Sequence, residues 1–430
     1  MRAGSPAASA ISLPFAADLE PQAPGVPLHG NADLARDFLD LEFRMESGRG
    51  LPVLTRFEGP ITVALSPGAP KWAGAELQRL LGRMRSEAGL DIRATTDAPA
   101  SIVIEFLPRR TLARAAPTAA CFVVPNVTSF ADYRHHRSDA VTDWSRLTRR
   151  DRAAIFVPAD TSPQEVRDCL HEELAQAVGP LNDLYRLTDS VFNDDNFNTV
   201  LTPFDMLMLR LHYAQELHSG MTEPQVAALL PGILARLNPG GAGLPRTEAA
   251  IGPHSWTEAV EATFANPRGK ARASSAQRMV AIARAEGWTD ARLGLALYAA
   301  GRAQLSADPA AAVQSLTEAR RVYADLPGAD VHVAHVDMQL AAIALKTGQP
   351  DQAIGFADHA IPVARQAQNA SLAATLMLIK AEALEMTGQT AAARAQRLDA
   401  APLARYGFGS DTQMRARMAE IASLAARKGA

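Results

Sequence analysis

Residues 169–183 have the sequence CLHEELAQAVGPLND, and the N-terminal half of the chain is arranged around them. Upstream, Ser162 and Pro163 have the residue types that cap and begin a helix, and Glu165 completes a capping-box pattern. Gly179, followed by Pro180, predicts where that helix ends. We therefore expect one helix that runs from Pro163 to the glycine and is followed by a sharp turn.

This helix has the outline of a metalloprotease active-site helix. Such a helix places two histidines one turn apart, with a glutamate directly after the first. Both imidazoles then bind one metal ion, and the glutamate acts on the metal-bound water. His171 and Glu172 begin this pattern, but Ala175 occupies the position of the second histidine. In this register the motif fails.

A shift of one residue restores the spacing and resembles the metzincin pattern, His-Glu-x-x-His-x-x-Gly-x-x-His. In that register Glu173 stands at the general-base position, and Gly179 stands where the helix must break. The resemblance implies three candidate metal-ligand positions, which are occupied by Glu172, Gln176 and Asn182. Phe192 stands where metzincins have a methionine in the following turn. The rim of such a site would include Asp183, Phe192, Asp194 and Asp195.

The residue types at the ligand positions disfavour zinc. Catalytic zinc sites mostly use imidazole and thiolate ligands. One carboxylate and two amides form a hard oxygen set that favours Ca²⁺, Mg²⁺ or Mn²⁺, and only weakly. Three interpretations stay open: the side chains hydrogen-bond one another in a metal-free fold, they bind a hard divalent cation, or they form an altered zinc hydrolase. We expect no cofactor, and a hard divalent cation is the alternative.

A narrower resemblance covers about residues 30–240. The segments 35–41, 46–49, 54–61 and 192–195, together with the Glu-Glu-x-x-Gln helix, are similar to the bacterial family called domain of unknown function 2927. This resemblance implies an extracytoplasmic protein of unassigned activity. It also implies a disulfide between Cys121 and Cys169, whereas the sequence alone leaves open two buried free thiols.

Localisation follows from the same resemblance. Residues 1–10 lack the charged start and the apolar core of a signal peptide. We therefore expect a periplasmic or secreted protein whose signal is not visible in this chain, with a cytoplasmic protein as the alternative.

Strands and helices alternate in the N-terminal half. Strands are predicted at 61–65, 102–106, 121–124 and 153–157, and further helices at 73–88, 203–217 and 223–237, besides one that begins at residue 32. Layers of strands and helices predict an α/β (α+β) domain, of zincin-like fold by the resemblance, at residues 31–237. Residues 1–30 are predicted to be an extended lead-in, and the glycine-rich residues 238–254 a linker.

Residues 255–430 are predicted to be wholly helical and to contain a repeat. Thr347-Gly348-Gln349 recurs forty residues later as Thr387-Gly388-Gln389, and 307–309 occupy the equivalent place forty residues earlier. Helix pairs at a constant period indicate an α-solenoid, which resembles tetratricopeptide-type repeats. Four aromatic residues are predicted to lie in its core: Trp256, Trp288, Tyr298 and Tyr323.

Two groups of polar residues are interpreted without a functional role. The run 133–137, Tyr-Arg-His-His-Arg, is predicted to be a solvated loop, and a place on the rim of a metal or anion site is the weaker alternative. His332, His335 and His359 lie on two solenoid helices, where packing or exposure is the commoner fate of histidines. The formal net charge of −3 favours no nucleic-acid partner. No run of 18 apolar residues is present, so no transmembrane segment is expected.

We favour an extracytoplasmic protein with a non-proteolytic, metzincin-like domain and a solenoid whose concave face binds a protein or peptide. This interpretation makes the chain a binding protein rather than an enzyme. The alternative is a metal-dependent, peptidase-like hydrolase in which Glu173 is the general base and the ligands are not histidines. In a third interpretation both halves are structural.

Overall fold

The computed structural model describes residues 29–425 except 46, 118, 194, 248–250 and 266–268. Nearly all of the predicted lead-in therefore lies outside the described residues, as does Asp194, one of the predicted rim residues. Within the described ranges, an α/β part is followed by a stack of helices. The predicted fold class is confirmed at this level.

Five strands form one mixed sheet. They are β1 Ile61–Leu65, β2 Ile92–Ala94, β3 Ile102–Leu107, β4 Phe122–Pro125 and β5 Ala153–Pro158. The strand order is β2-β1-β3-β5-β4, and only β4 runs antiparallel to its neighbour. All six residues of β5 are buried because β5 lies inside the sheet and both of its faces are covered. Strand β2, with three residues, was missed by the prediction.

Seven α-helices accompany the sheet in the part of the chain that the structure describes. They are α1 Asn31–Glu42, α2 Ala73–Ala88, α3 Arg109–Ala115, α4 Phe130–His136, α5 Pro163–Val178, α6 Pro203–His212 and α7 Glu223–Leu237. We call α5 the central helix. It shares the largest apolar core with α1, α2, α6, α7 and one face of the sheet. Helix α6 ends at His212, five residues earlier than predicted.

Helices α3 and α4 cover the opposite face of the sheet, where Leu112, Phe130 and Phe156 form a smaller core. The run 133–137, predicted to be a loop, forms the end of α4 and the residue that follows it. Tyr133 packs there against Phe130 and Phe156 at ring-centroid distances of 5.9 and 5.7 Å. The polar residues after Tyr133 are exposed, which is why their sequence indicated a loop.

A disulfide joins this sheet to the central helix. Cys121 directly precedes β4, Cys169 lies in α5, and their sulfur atoms are 2.11 Å apart. The predicted pairing is confirmed. Closing a loop between residues 48 positions apart removes conformational entropy from the unfolded chain, worth about 4 kcal/mol.

Nine helices follow in the described part of the C-terminal region, and we call them the helical stack. They are α8 His254–Ala265, α9 Lys270–Ala285, α10 Ala291–Gln304, α11 Pro309–Ala324, α12 Asp330–Lys346, α13 Pro350–Gln366, α14 Ala370–Met386, α15 Thr390–Phe408 and α16 Asp411–Ala422. Two apolar clusters run through the stack. The first contains Trp256, Trp288, Tyr298 and Tyr323, so the prediction that these side chains lie in the core is confirmed.

The repeated turns have the same geometry. In the first turn, the N–H groups of Thr347 and Gln349 donate to the carbonyls of Ile343 and Ala344, at 2.9 Å each. The second turn repeats both bonds forty residues later, at 3.2 and 2.9 Å. Gly348 and Gly388 have φ values of 73° and 79°, a left-handed conformation that favours glycine. The sequence repeat is therefore a structural repeat.

The residues that follow α7 pack onto the α/β part. The Asn238 amide donates to the His29 carbonyl at 3.1 Å, and the Thr247 N–H donates to the Asp33 carboxylate at 3.0 Å. None of the helices in the described ranges combines the length and the hydrophobicity needed to cross a membrane.

Candidate functional site

The central helix begins as its sequence predicts. The Ser162 hydroxyl accepts a hydrogen bond from the Glu165 N–H at 3.1 Å, and Pro163 occupies the first turn. The Glu165 carboxylate does not close the predicted capping box. It accepts hydrogen bonds from Arg109 and Thr161 instead.

Close packing explains why the helix ends at a glycine. A Cβ atom at Gly179 would lie 2.5 Å from Leu209 of α6 and 3.0 Å from the Ala175 carbonyl. Only a residue without a side chain lets the chain leave the helix so close to α6. The predicted break is therefore present, and its cause is a tertiary contact.

A buried arginine holds the last turn of this helix. The Arg150 guanidinium donates to the carbonyls of Gln176 and Ala177 at 2.8 and 2.9 Å. Helix ends leave such carbonyls without partners inside the helix, and a cation there also interacts favourably with the helix dipole. Burial lowers the pKa of Arg150, and the carboxylate of Glu42 opposes that shift.

The structure places the two glutamates of the motif differently. Glu173, at the general-base position, is buried, with 4% of its surface exposed. Glu172, at the first ligand position, is half-buried and lines a cavity of about 290 Å³.

The other predicted ligand and rim residues do not line that cavity together. Asn182 donates its amide to the Asp40 carbonyl at 2.8 Å and lines a second cavity, of about 170 Å³, with Asp183. Gln176 is half-buried, and Phe192 is fully buried in the main core. Glu172 and Asn182 thus face different cavities.

His171 supports the fold. Its Nδ1 accepts a hydrogen bond from the Leu201 N–H at 3.0 Å, which ties the central helix to the segment before α6. Burial lowers the pKa of His171 well below its usual value, and Arg167 adds to the shift. The imidazole is therefore neutral and serves as a hydrogen-bond acceptor.

The larger cavity is an interface cleft between the central helix and the helical stack, and we call it the cleft. One wall is the helix face that carries Gln164, Asp168 and Glu172, one turn apart from each other. The facing wall comes from the stack and includes His335, Met338, Asn369 and Thr375. One side of the cleft is closed by Val191, Asn196, Asn198 and Thr199. Its lining is rich in amides, hydroxyls and carboxylates, with few apolar side chains.

Hydrogen bonds join the two walls at one end of the cleft. The Gln164 amide donates to the Asn369 side chain at 3.0 Å, and the Ser371 N–H donates to Gln164 at 2.7 Å. Asn369 in turn caps α14 by accepting from the Leu372 N–H. A pattern search along the sequence misses this contact because Gln164 and Asn369 lie 205 residues apart.

An ion pair lies beside these bonds. Arg167 donates to Asp168 at 2.7 Å, to Thr199 at 3.1 Å, and to the Gln368 carbonyl at 2.8 Å. Burial raises the pKa of Asp168, and the guanidinium of Arg167 opposes that shift. Asp168 thus binds Arg167, and Glu172 is the other carboxylate that lines the cleft.

The donor set does not suit zinc. Glu172 and Asn182 line different cavities, and neither is an imidazole or a thiolate. Within the described residues, no three His, Cys, Asp or Glu side chains gather in a way that could hold a metal ion.

The fold and the cleft define a two-part protein in which an α/β part that contains the central helix lies against a helical stack. Residues 31–232 match the family model described as a protein of unknown function, DUF2927. The family resemblance is confirmed for that part of the chain. No curated protein and no solved structure matches the chain.

Proposed function

We propose that this chain is an extracytoplasmic, non-proteolytic binding protein that holds a peptide segment in the cleft between the central helix and the helical stack. The observation that carries this proposal is the orientation of the central helix. Its general-base position, Glu173, is buried, whereas Gln164, Asp168 and Glu172 face the stack across the cleft. A general base must come within hydrogen-bond reach of the water that it activates, and Glu173 does not line the cleft.

The lining of the cleft suits a peptide. Amides and hydroxyls can pair with the N–H and C=O groups of a peptide backbone. Asn369 and Thr375 supply such groups from the stack, and Asn198 supplies them from the side that closes the cleft. The volume of about 290 Å³ is near the lower limit of about 300 Å³ for ligand pockets, which favours a short segment over a folded partner.

Two resemblances support the proposal. The Glu172-to-Asn182 spacing and the helix end at Gly179 favour a zincin-like domain that kept its shape without the zinc ligands. The repeated turns of the stack favour tetratricopeptide-like repeats, a class of structure in which stacked helix pairs create extended binding surfaces.

The disulfide supports an oxidising compartment. Disulfides persist in secreted and periplasmic proteins and are rare in the reducing cytosol. Cys121 and Cys169 are paired here, and no other cysteine is present in the sequence. We therefore place the protein in the periplasm or outside the cell.

Calorimetric titration with blocked tripeptides, Ac-Ala-X-Ala-amide with X varied over all residue types, tests the proposal. We expect at least one tripeptide to bind and none to be hydrolysed. Glu172→Gln should weaken binding by about tenfold, because it removes a charge from the cleft wall. Glu261→Gln is the matched control, since Glu261 lines the second cavity. Glu173→Gln should leave binding unchanged if the protein stays folded.

Two results would overturn the proposal. One is stoichiometric zinc in the purified protein together with peptide hydrolysis that Glu173→Gln abolishes, which would establish the hydrolase. The other is equal binding by the Glu172→Gln and Glu261→Gln variants, which would move the ligand away from the cleft.

A further inference from the structure

Phe197 enters the helical stack from the α/β part. Its ring lies in a pocket of four rings that belong to three helices of the stack. The ring-centroid distances are 5.2 Å to Tyr298, 6.1 Å to Tyr323, 4.6 Å to His332 and 4.7 Å to His335. Only 3% of Phe197 is exposed, and it clusters with the core of the stack rather than with the core of the α/β part. We call these four rings the Phe197 pocket.

A buried hydrogen bond accompanies the ring. The His332 Nε2 lies 2.9 Å from the Asp195 carboxylate, and the two side chains are 0% and 2% exposed. His332 thus contacts both Asp195 and Phe197. A buried carboxylate needs a partner, so this pair selects an acidic residue two positions before the aromatic one.

Hydrogen bonds within the segment hold its shape. The Asp195 carboxylate accepts hydrogen bonds from the Phe197 N–H at 3.0 Å and from the Asn193 amide at 2.8 Å. Asn196 lies between Asp195 and Phe197 and has a φ of 61°, which asparagine tolerates better than most residues. This local turn points Asp195 and Phe197 in the directions that the pocket requires, and so reduces the entropy lost on docking.

The buried hydrogen bond, the aromatic pocket and the local turn together have the composition of a peptide-recognition site. Interface hot spots combine a buried aromatic anchor with a desolvated polar contact in this way. The sequence predicted that the stack binds a peptide from a partner protein. In the structure, the segment that fills this pocket belongs to the same chain.

We propose that the Phe197 pocket is a recognition site for the motif Asp-x-Phe and that residues 195–197 are its internal ligand. The stack thereby binds the α/β part in cis, and the same segment closes one side of the cleft. A peptide that carries Asp-x-Phe should bind the pocket in trans once the internal motif is removed. This inference rests on the proposed role of the stack in peptide recognition, but it does not depend on a ligand in the cleft.

The test uses the full chain with the changes Asp195→Ala and Phe197→Ala and a synthetic peptide of residues 188–201. The wild-type pocket is filled, so the variant should bind the peptide at least about tenfold more tightly than the wild type does. A peptide with alanine at both motif positions should bind the variant about tenfold more weakly. The matched control protein carries Asp325→Ala and Phe264→Ala, which remove an exposed aspartate and an exposed phenylalanine of the stack. It should behave as the wild type.

Hydrogen exchange supplies a readout that a loss of stability alone would not produce. Amides of α12 should exchange faster in the double variant and return toward wild-type protection when the peptide is added. If the double variant does not fold, Phe197→Leu replaces it, and the peptide should slow exchange in α12 of that variant.

Equal affinity of the motif peptide and the alanine peptide would overturn the proposal. So would an affinity of the variant no higher than that of the wild type. A failure of the tripeptides to bind the cleft would leave these results unchanged, so the two proposals fail separately.

Discussion

Arg150 shows how one side chain can hold the candidate site in place. It joins three parts of the α/β domain, because it donates to Thr55 at 3.2 Å and to the last turn of the central helix, and stacks over the Trp144 ring at 5.1 Å. The residue lies far from the motif in sequence, and no pattern marks it. The orientation of the helix end nevertheless depends on it.

We expect Arg150→Ala to lower the free energy of unfolding by about 3 kcal/mol, because two buried carbonyls lose a charged donor. Urea denaturation measures this loss. Arg152→Ala is the control, since Arg152 is exposed, and it should change the free energy by less than about 0.5 kcal/mol. Equal effects of the two substitutions would show that the contact does not stabilise the helix end.

Asp205 predicts a pH dependence. Its carboxylate is fully buried and accepts from the Ser190 hydroxyl at 2.5 Å and from the Thr202 N–H at 2.7 Å. Burial raises its pKa to about 7, and these donors oppose the shift. The folded protein therefore keeps a proton on Asp205 up to about pH 7, whereas the unfolded chain releases it near pH 4. Between these values the folded state binds more protons, so its stability falls as pH rises.

The measurement is urea denaturation of the wild type and of Asp205→Asn between about pH 4.5 and 6.5. Relative to the variant, the wild type should lose about 1 kcal/mol of stability for each pH unit, because the asparagine does not titrate. Asp151→Asn, at an exposed carboxylate, should give a profile parallel to that of the wild type. If the stability of Asp205→Asn also changes with pH in parallel with that of the wild type, a raised pKa of Asp205 is excluded.

The turns of the stack make a prediction at the level of the structural element. Gly348→Ala and Gly388→Ala should each cost about 1 kcal/mol, because both glycines have a positive φ. Gly355 lies inside α13, and a Cβ atom there would meet nothing within 4 Å. Gly355→Ala should therefore stabilise the protein, by up to about 1 kcal/mol. Thermal unfolding of the three variants checks both signs. If one of the two turn variants were more stable than the wild type and the other less stable, the two turns would not be equivalent.

Long elements with a clear period could be predicted from the sequence, and short ones could not. Helix α2 and the starts of β1, β3 and β5 lie where the apolar spacing placed them. Strand β2 is too short to show an alternation. The second half of α4 consists of exposed polar residues, so Phe130 and Tyr133 alone marked its apolar side. The predicted end of α6 was wrong at a tertiary contact, because Arg56 donates there to the carbonyls of His212 and Ala214 at 3.1 Å each.

Only the part of the candidate site that is continuous in sequence, the central helix, could be predicted. The spacing from Glu172 to Asn182 located the central helix and its break, but it could not show that the two side chains face different cavities. The second wall of the cleft and the Phe197 pocket come from helices more than a hundred residues away. Such docking depends on complementary surfaces, for which a single sequence has no periodic signal.

At the scale of the whole molecule, the contacts between the two parts predict one cooperative unfolding unit. Gln164 binds Asn369, the Tyr406 hydroxyl donates to Glu76 at 3.1 Å, and Asp195 pairs with His332. Each part therefore completes buried polar groups of the other, and separation would leave them without partners. We expect scanning calorimetry of the wild-type chain to show a single transition, with equal calorimetric and van't Hoff enthalpies.

Arg167 is the residue to change, because it bonds to the stack at Gln368 and stacks over Tyr406 at 5.7 Å while it neutralises Asp168. Arg167→Ala removes the cation from the half-buried Asp168 carboxylate and a charged donor from the stack, which costs about 2 kcal/mol at the interface. The single transition should then split in two, because the interface weakens while the cores of both parts stay intact. Arg110→Ala, at an exposed position on α3, should keep one transition. Two transitions in the wild type, unchanged by Arg167→Ala, would mean that the stack is an independent domain and that the cleft walls are not held together by these contacts.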